Sequence, residues 1–263
     1  EMIAGLTEQW NELRSHGYVL WQLVRQQLIL RYRRTILGYF WTLINPLLMM
    51  SVTAFVFSTL FKVPLRDYAV FLFSGMIAWN SFSSTVFQSC YAFINNEGLI
   101  KKIYLPKMLF PLGVSVGTSI DTIFFFVSLF VIILVLGGKI SVALLMLPLS
   151  FLLLFVFSLG IGLVMSVLTV FFRDLLYIIT IMLQAMFFLT PVLYDKKMLG
   201  GPASFLMQVN PLVPFIDIFR APLAYGLMPP MESLVLCVIF AVVSLAIGLL
   251  VFSMNEKKIV YRL

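Results

Sequence analysis

The chain has 263 residues, 62% hydrophobic and 11% charged, with a formal net charge of +7. Soluble domains carry about 25% charged residues, so this composition excludes an ordinary soluble fold and points to one integral membrane domain. The positive balance then belongs to cytoplasmic loops and anionic lipid rather than to nucleic acid, since no soluble basic face is long enough.

The first 36 residues read as a cytoplasmic N-terminal segment. They are polar and amphipathic up to about residue 35, and no cleavable signal peptide is legible in them. Within them "YVLWQLVRQQLILRYRR" (18–34) places Leu20, Trp21, Val24 and Leu28 on one helical face. Gln22, Arg25, Gln26 and Arg33 fall opposite. That pattern predicts an amphipathic helix lying in the membrane interface. Arg31 falls on the apolar side, and Arg33 and Arg34 follow at once. Two roles are open for these arginines. They can anchor to headgroups and set topology, or their guanidinium forks can hold lipid phosphate.

The remainder, 37–263, predicts an all-α domain of six spans, near 37–61, 69–94, 108–136, 142–170, 175–193 and 232–254. A span needs roughly 20 apolar residues, and lipid leaves helices as the way to satisfy their backbone. Of the 18 basic residues, twelve fall in the N-terminus, the 95–107 loop, the 171–174 turn and the C-terminus, and six fall on the other side. That asymmetry puts both termini in the cytoplasm.

Two connections stand out. "INNEGLIKKIYLPK" (94–107) predicts a helix of at most two turns, with Asn95 or Asn96 as cap, Pro106 as limit, and Leu99, Ile100 and Ile103 on one side. Those apolar residues suit either the membrane surface or a groove in a soluble partner. "FLMQVNPLVPFIDIFRAPLAYG", within the 194–231 connection, is apolar but broken by Pro211, Pro214 and Pro222. It is too interrupted to span and predicts re-entrant or interfacial pieces forming an outer lid or gate.

Polar residues inside spans are few. Asp121 lies near the middle of the third span, where a carboxylate is costly and marks either a function or a packed network with Thr118, Ser119 and Thr122. In "WNSFSSTVFQSCY" (79–91), Ser81, Ser84, Thr85, Gln88 and Ser89 form a stripe at helical spacing beside Trp79, Phe82, Phe87 and Tyr91. Close helix packing explains such a stripe, and so does a wetted wall suited to sugar faces and edges. Cys90 and Cys237 lack CxxC spacing and read as free thiols. His16 is the only histidine, so no histidine metal site is expected. There is no GxxxxGK[ST] loop, and "GGKIS" (137–141) is only a glycine turn, so ATP binding by that motif and catalysis are both unsupported. No internal repeat is visible, which disfavours secondary-transporter folds.

The order "LVRQQLILRYRRTILGYFWTLINPLL", "LIKKIYLPK", "FFRDLLYIITIMLQAMFFLTPVLY", "NPLVPFIDIFRAPL" resembles the membrane subunit of type-2 ABC exporters of the polysaccharide and polyol-phosphate class, the exporters of O-antigen, capsule and teichoic acid. The resemblance covers essentially the whole chain. It implies a homodimer in the bacterial inner membrane, served by two copies of a separate ATPase that holds the ATP and magnesium. This chain itself would hold no cofactor. It implies a lipid-linked glycan substrate, with Arg31, Arg33 and Arg34 at the lipid-phosphate entry. Asn96, Glu97, Leu99, Ile100, Lys101, Lys102 and Ile103 would couple to the ATPase. Tyr39, Trp41, Trp79, Phe82, Ser84, Gln88, Tyr91 and Asp121 would line the channel. Pro211, Pro214, Phe215, Phe219 and Arg220 would form the outer gate. The competing expectations are an exporter of a smaller lipid or drug on the same scaffold, and a polyprenyl-phosphate transferase. The transferase is weakened because Glu97, Asp174 and Glu256 lie far apart in sequence.

Overall fold

The computed structural model describes residues 15–31, 37–135, 141–196, 205, 207 and 209–263. Among the described residues all regular structure is helical. In chain order the helices are α1 (Gly17–Arg31), α2 (Trp41–Phe61), α3 (Leu65–Ser89), α4 (Glu97–Ile100), α5 (Leu109–Val135), α6 (Leu147–Phe171), α7 (Leu175–Leu189), α8 (Leu212–Arg220) and α9 (Met231–Arg262). Five are long and apolar enough to cross a membrane: Leu43–Phe61, Leu65–Ser89, Leu109–Ile132, Val142–Phe171 and Met231–Arg262. The expected span at 175–193 corresponds to α7, which has 15 residues. At 1.5 Å per residue it reaches about 22 Å, short of a hydrocarbon core of about 30 Å.

Local chemistry sets the ends of these helices. After α2, Lys62 turns into the left-handed region at φ 54°, its N–H bonds Ser58 O, and Pro64 begins the next element. After α7, Thr190 is extended at φ −103° and ψ 134°. It precedes Pro191, whose ring crowds a helical predecessor. Gly226 closes the π turn Ala221–Tyr225 at φ 68°, a conformation open to glycine without Cβ strain. The second span ends earlier than the sequence predicts, at Ser89 rather than near 94. Tyr91 N–H bonds Gln88 O and Ala92 N–H bonds Ser89 O, so the helix tightens into turns before the apolar run is spent.

α3 is the hub and the most buried of the five long helices; it packs against α2, α5, α6, α7 and α8. The most extensive pairing is α6 with α9. Its axis is glycine on glycine: a Cβ on Gly160 would lie 2.3 Å from Ser244 C, and one on Gly248 would lie 2.5 Å from Gly160 O. Small residues let membrane helices approach this closely, and dispersion between the backbones then substitutes for a hydrophobic drive that lipid does not supply. A second glycine seam receives α1. Leu20 and Leu23 lie against Gly113 of α5, and Gln27 against Gly117 one turn on. The buried face of α1 is therefore Leu20, Leu23, Val24 and Gln27, while Trp21 is 55% exposed. This departs from the expected face at Trp21, and adds Leu23 and Gln27; Leu28 is half-buried as they are. The glycine groove selects the face, not hydrophobicity.

One end of the bundle gathers α1, the 90–107 turns, the 171–174 turn and the end of α9. Ile100, Phe93, Phe110, Leu163, Val170 and Ile259 share one buried cluster there, and Leu23 packs on it. Nine of the twelve basic residues assigned to one side fall in these four segments; Arg14, Arg33 and Arg34 lie outside the described residues.

Candidate functional site

At this end the 97–104 segment forms a small platform. α4 lasts one turn. Asn96 stands at its N-cap position without capping it; its Nδ2 donates instead to Ala92 O at 2.8 Å. Ile100 is 9% exposed and anchors the turn inward, with Leu99 half-buried beside it. Ile103 and Tyr104 point out, at 54% and 86% exposed. The expectation of Leu99, Ile100 and Ile103 on one side is thus corrected: the helix stops at Ile100, and the following turn swings Ile103 away. Lys101 Nζ donates to Glu97 Oε1 at 2.6 Å. That bond, with the charge of Lys101 and a smaller effect of Arg173, holds the Glu97 carboxyl below the usual range. Lys101 and Lys102 are exposed. The exposed surface is therefore the Lys101–Glu97 pair, the Lys102 cation and two large apolar side chains on a base anchored by Ile100.

Along α3 the polar stripe divides by depth. Thr85 meets Thr118 at 2.7 Å inside the bundle, and Ser81 and Ser89 are buried. Phe82 is 4% exposed and stacks on Phe157 at 5.5 Å, within the subunit core. Trp79 and Ser84 instead face a groove of about 440 Å³ between α3 and α7, walled also by Phe87, Thr180, Gln184 and Phe187. Trp79 packs on Phe187 at 5.3 Å. Gln88 near the end of α3 and Tyr91 in the turn after it line a separate cleft against α1. Gln27 Nε2 donates to Gln88 Oε1 there at 2.8 Å. Asp121 is half-buried in α5; the hydroxyls of Thr118, Ser119 and Thr122 donate to backbone carbonyls three or four residues back. Trp41 opens α2 and is 40% exposed. Tyr39 belongs to the 3-10 turn Gly38–Phe40, and Arg31 ends α1. Arg33 and Arg34 lie outside the described residues.

At the other end α8 is sunk into the core. Phe215 and Phe219 are fully buried, and Pro214 with them. Phe215 stacks on Phe157 at 4.7 Å and Phe219 meets Phe151 edge-on at 4.9 Å. Pro211 is half-buried at the start of the helix. Arg220 is 5% exposed. Its Nη1 donates to Pro191 O at 2.9 Å and its Nη2 to Val192 O at 3.1 Å, with the guanidinium 3.7 Å from the Phe71 ring centroid. Tyr68 Oη donates to the next carbonyl, Leu193 O, at 2.7 Å. Three successive carbonyls just beyond the end of α7 thus accept from two side chains, and the cation rests on an aromatic face. Lys196 and Asp217 pair at 2.9 Å nearby. Residues 197–204, 206 and 208 of the expected gate region lie outside the described residues.

The ABC-2 type transporter family model matches residues 18–224, most of the chain. The chain belongs to the ABC-2 type transporter family. Among curated proteins, an O-antigen export system permease protein RfbA of Klebsiella pneumoniae is 30% identical over 81% of this chain and 83% of its own length. The RfbA of Myxococcus xanthus is 26% identical over 94% of this chain and 96% of its own. The polysialic acid transport protein KpsM of Escherichia coli is 24% identical over 92% and 96%. The matched ABC-2 region takes in α1, the 97–104 platform, both walls of the α3–α7 groove and buried α8. With its apolar helices, this makes the chain a multi-pass membrane protein.

Two features of the structure escape the sequence reading. Thr180 and Gln184 line the groove, and their spacing of four residues in an otherwise apolar helix is a signal that would have found them. Tyr68 falls one residue before the expected second span, and nothing in its neighbours marks its carbonyl partner.

Proposed function

We propose that this chain is the membrane subunit of an ATP-driven exporter of a lipid-linked polysaccharide. Relatives named for O-antigen export and for polysialic acid transport share one substrate class, a long glycan. The chain works as a homodimer in the bacterial inner membrane with two ATPase subunits, both termini in the cytoplasm and α7 completing a sixth crossing. The second copy closes the α3–α7 groove into a channel of aromatic faces and amide and hydroxyl edges. The lipid phosphate enters at Arg31, Arg33 and Arg34, beside the elbow between α1 and α2. α8, with Pro211, Pro214, Phe215, Phe219 and Arg220, forms the outer closure.

The observation that carries this reading is the platform at 97–104. Ile100 ties it to the ends of α5, α6 and α9, so a push on Ile103 and Tyr104 reaches three helices at once. An apolar pair flanked by cations suits a groove on a soluble ATPase better than lipid, because membrane docking alone would not need a rigid inward anchor.

Ile103→Asp with Tyr104→Asp tests it. Export is expected to fall at least about tenfold, as for truncation of interface anchors, while yield and helix content stay unchanged. Export at the parental level would remove the docking role.

A further inference from the structure

The cleft beside α1 holds a chemistry that the export reading leaves unused. It measures about 360 Å³ and lies between α1, the end of α3, the 90–96 turns and the first turns of α5. Five primary carboxamides line it, from Gln26, Gln27, Gln88, Asn95 and Asn96, together with the phenol of Tyr91. Among the described residues no lysine, arginine, aspartate or glutamate lines it.

That composition selects a ligand class. A phosphate site needs cations or several convergent N–H groups, and among the described residues no cation lines the cleft. Each carboxamide presents two donors and an acceptor in one plane. Vicinal hydroxyls of a sugar likewise both donate and accept. The size falls within the usual range of small-ligand pockets, about 300–1,000 Å³.

Helix packing accounts for part of the cluster only. The Gln27–Gln88 bond joins α1 to α3, and Asn96 bonds Ala92 O. Those bonds fix the wall of the cleft. Gln26 and Asn95 are exposed and have no side-chain partner among the described residues. Tyr91 is held edge-on against Phe87 at 5.5 Å, which orients its ring. Phe87 lines the α3–α7 groove, as does Ser84, which lies one turn before Gln88 on the same helix. Cleft and groove are therefore consecutive along α3.

We propose that the carboxamide cleft binds a neutral sugar unit of the glycan on its way into the groove. The proposal rests on the polysaccharide-export reading and adds a recognition site to it. Binding here is through hydroxyl groups, so it is insensitive to the lipid's phosphate and to salt.

The test uses the complete transporter, chain and ATPase, with Gln26→Leu, Asn95→Leu and the pair. Both side chains are exposed, so assembly and ATPase activity are expected to persist. Polymer export is measured in cells, and saturation-transfer NMR on the purified complex uses a neutral mannotetraose probe with inorganic pyrophosphate as anionic control. The expected result is a mannotetraose signal from the parent that the pair reduces at least about tenfold, with export falling in parallel and no pyrophosphate competition. A parent that exports polymer while the pair exports and binds equally well overturns the cleft proposal and leaves the export reading standing. Displacement of the probe by pyrophosphate also overturns it. A parent that exports no polymer overturns both.

Discussion

Gly160→Ala is expected to prevent accumulation of a folded chain. A single Cβ at this position would sit 2.3 Å from Ser244 C and 2.5 Å from Leu245 N, atoms of the α9 backbone. Overpacking costs about 1–3 kcal/mol where side chains can yield, and a backbone obstacle yields only if α6 and α9 separate along their length. That pairing is the most extensive in the bundle. Two nearby glycines calibrate the effect. At Gly162 the new Cβ meets the Ser89 hydroxyl at 2.6 Å, a group that can rotate, so Gly162→Ala is expected to lower stability without abolishing it. At Gly98 nothing lies within 4 Å, and Gly98→Ala is expected to be neutral for stability. Yield and thermal melting of the detergent-purified chain read all three. Parental yield from Gly160→Ala would show that the α6–α9 contact is looser than drawn.

Arg220→Ala is expected to be the other severe change. It orphans the carbonyls of Pro191 and Val192, each costing roughly 1–3 kcal/mol when buried and unpaired, and it removes the cation from the Phe71 face. The total is about 2–6 kcal/mol, felt where α7 ends and α8 packs. Tyr68→Phe removes a single bond to Leu193 O and is expected to cost about 0.5–1.5 kcal/mol. If the clasp positions the outer closure, both changes raise proteolytic cleavage in the segment after α7 in that order. Equal protection of Arg220→Ala and the parent would reduce Arg220 to a bystander.

The spans were legible because membrane thickness imposes a length on apolar runs, and α2, α3, α5, α6 and α9 fall close to the expected limits. The α8 region was legible because Pro211, Pro214 and Pro222 break a stretch too apolar for solvent. The basic residues sorted the ends, and α1, the 97–104 platform, the 171–174 turn and the end of α9 do meet on one side. What stayed hidden shares one cause: helices that are apolar all round do not declare their rotation. Phe82 and Trp79 look equivalent in the sequence and both are buried, yet only Trp79 also lines the groove. The seams at Gly113, Gly117, Gly160 and Gly248 depend on which partner backbone lies opposite. The Gln27–Gln88 pair spans 61 positions, and the Arg220 clasp reads backbone carbonyls that carry no side-chain identity.

Polysaccharide export driven through this chain is tested most directly by surface polymer in a host that lacks it. Removing the chain is expected to clear the polymer from the cell surface and to accumulate its lipid-linked form at the inner leaflet. Restoring the chain reverses both only when its ATPase partner can hydrolyse ATP. Unchanged surface polymer with no internal accumulation, in the absence of the chain, would contradict it.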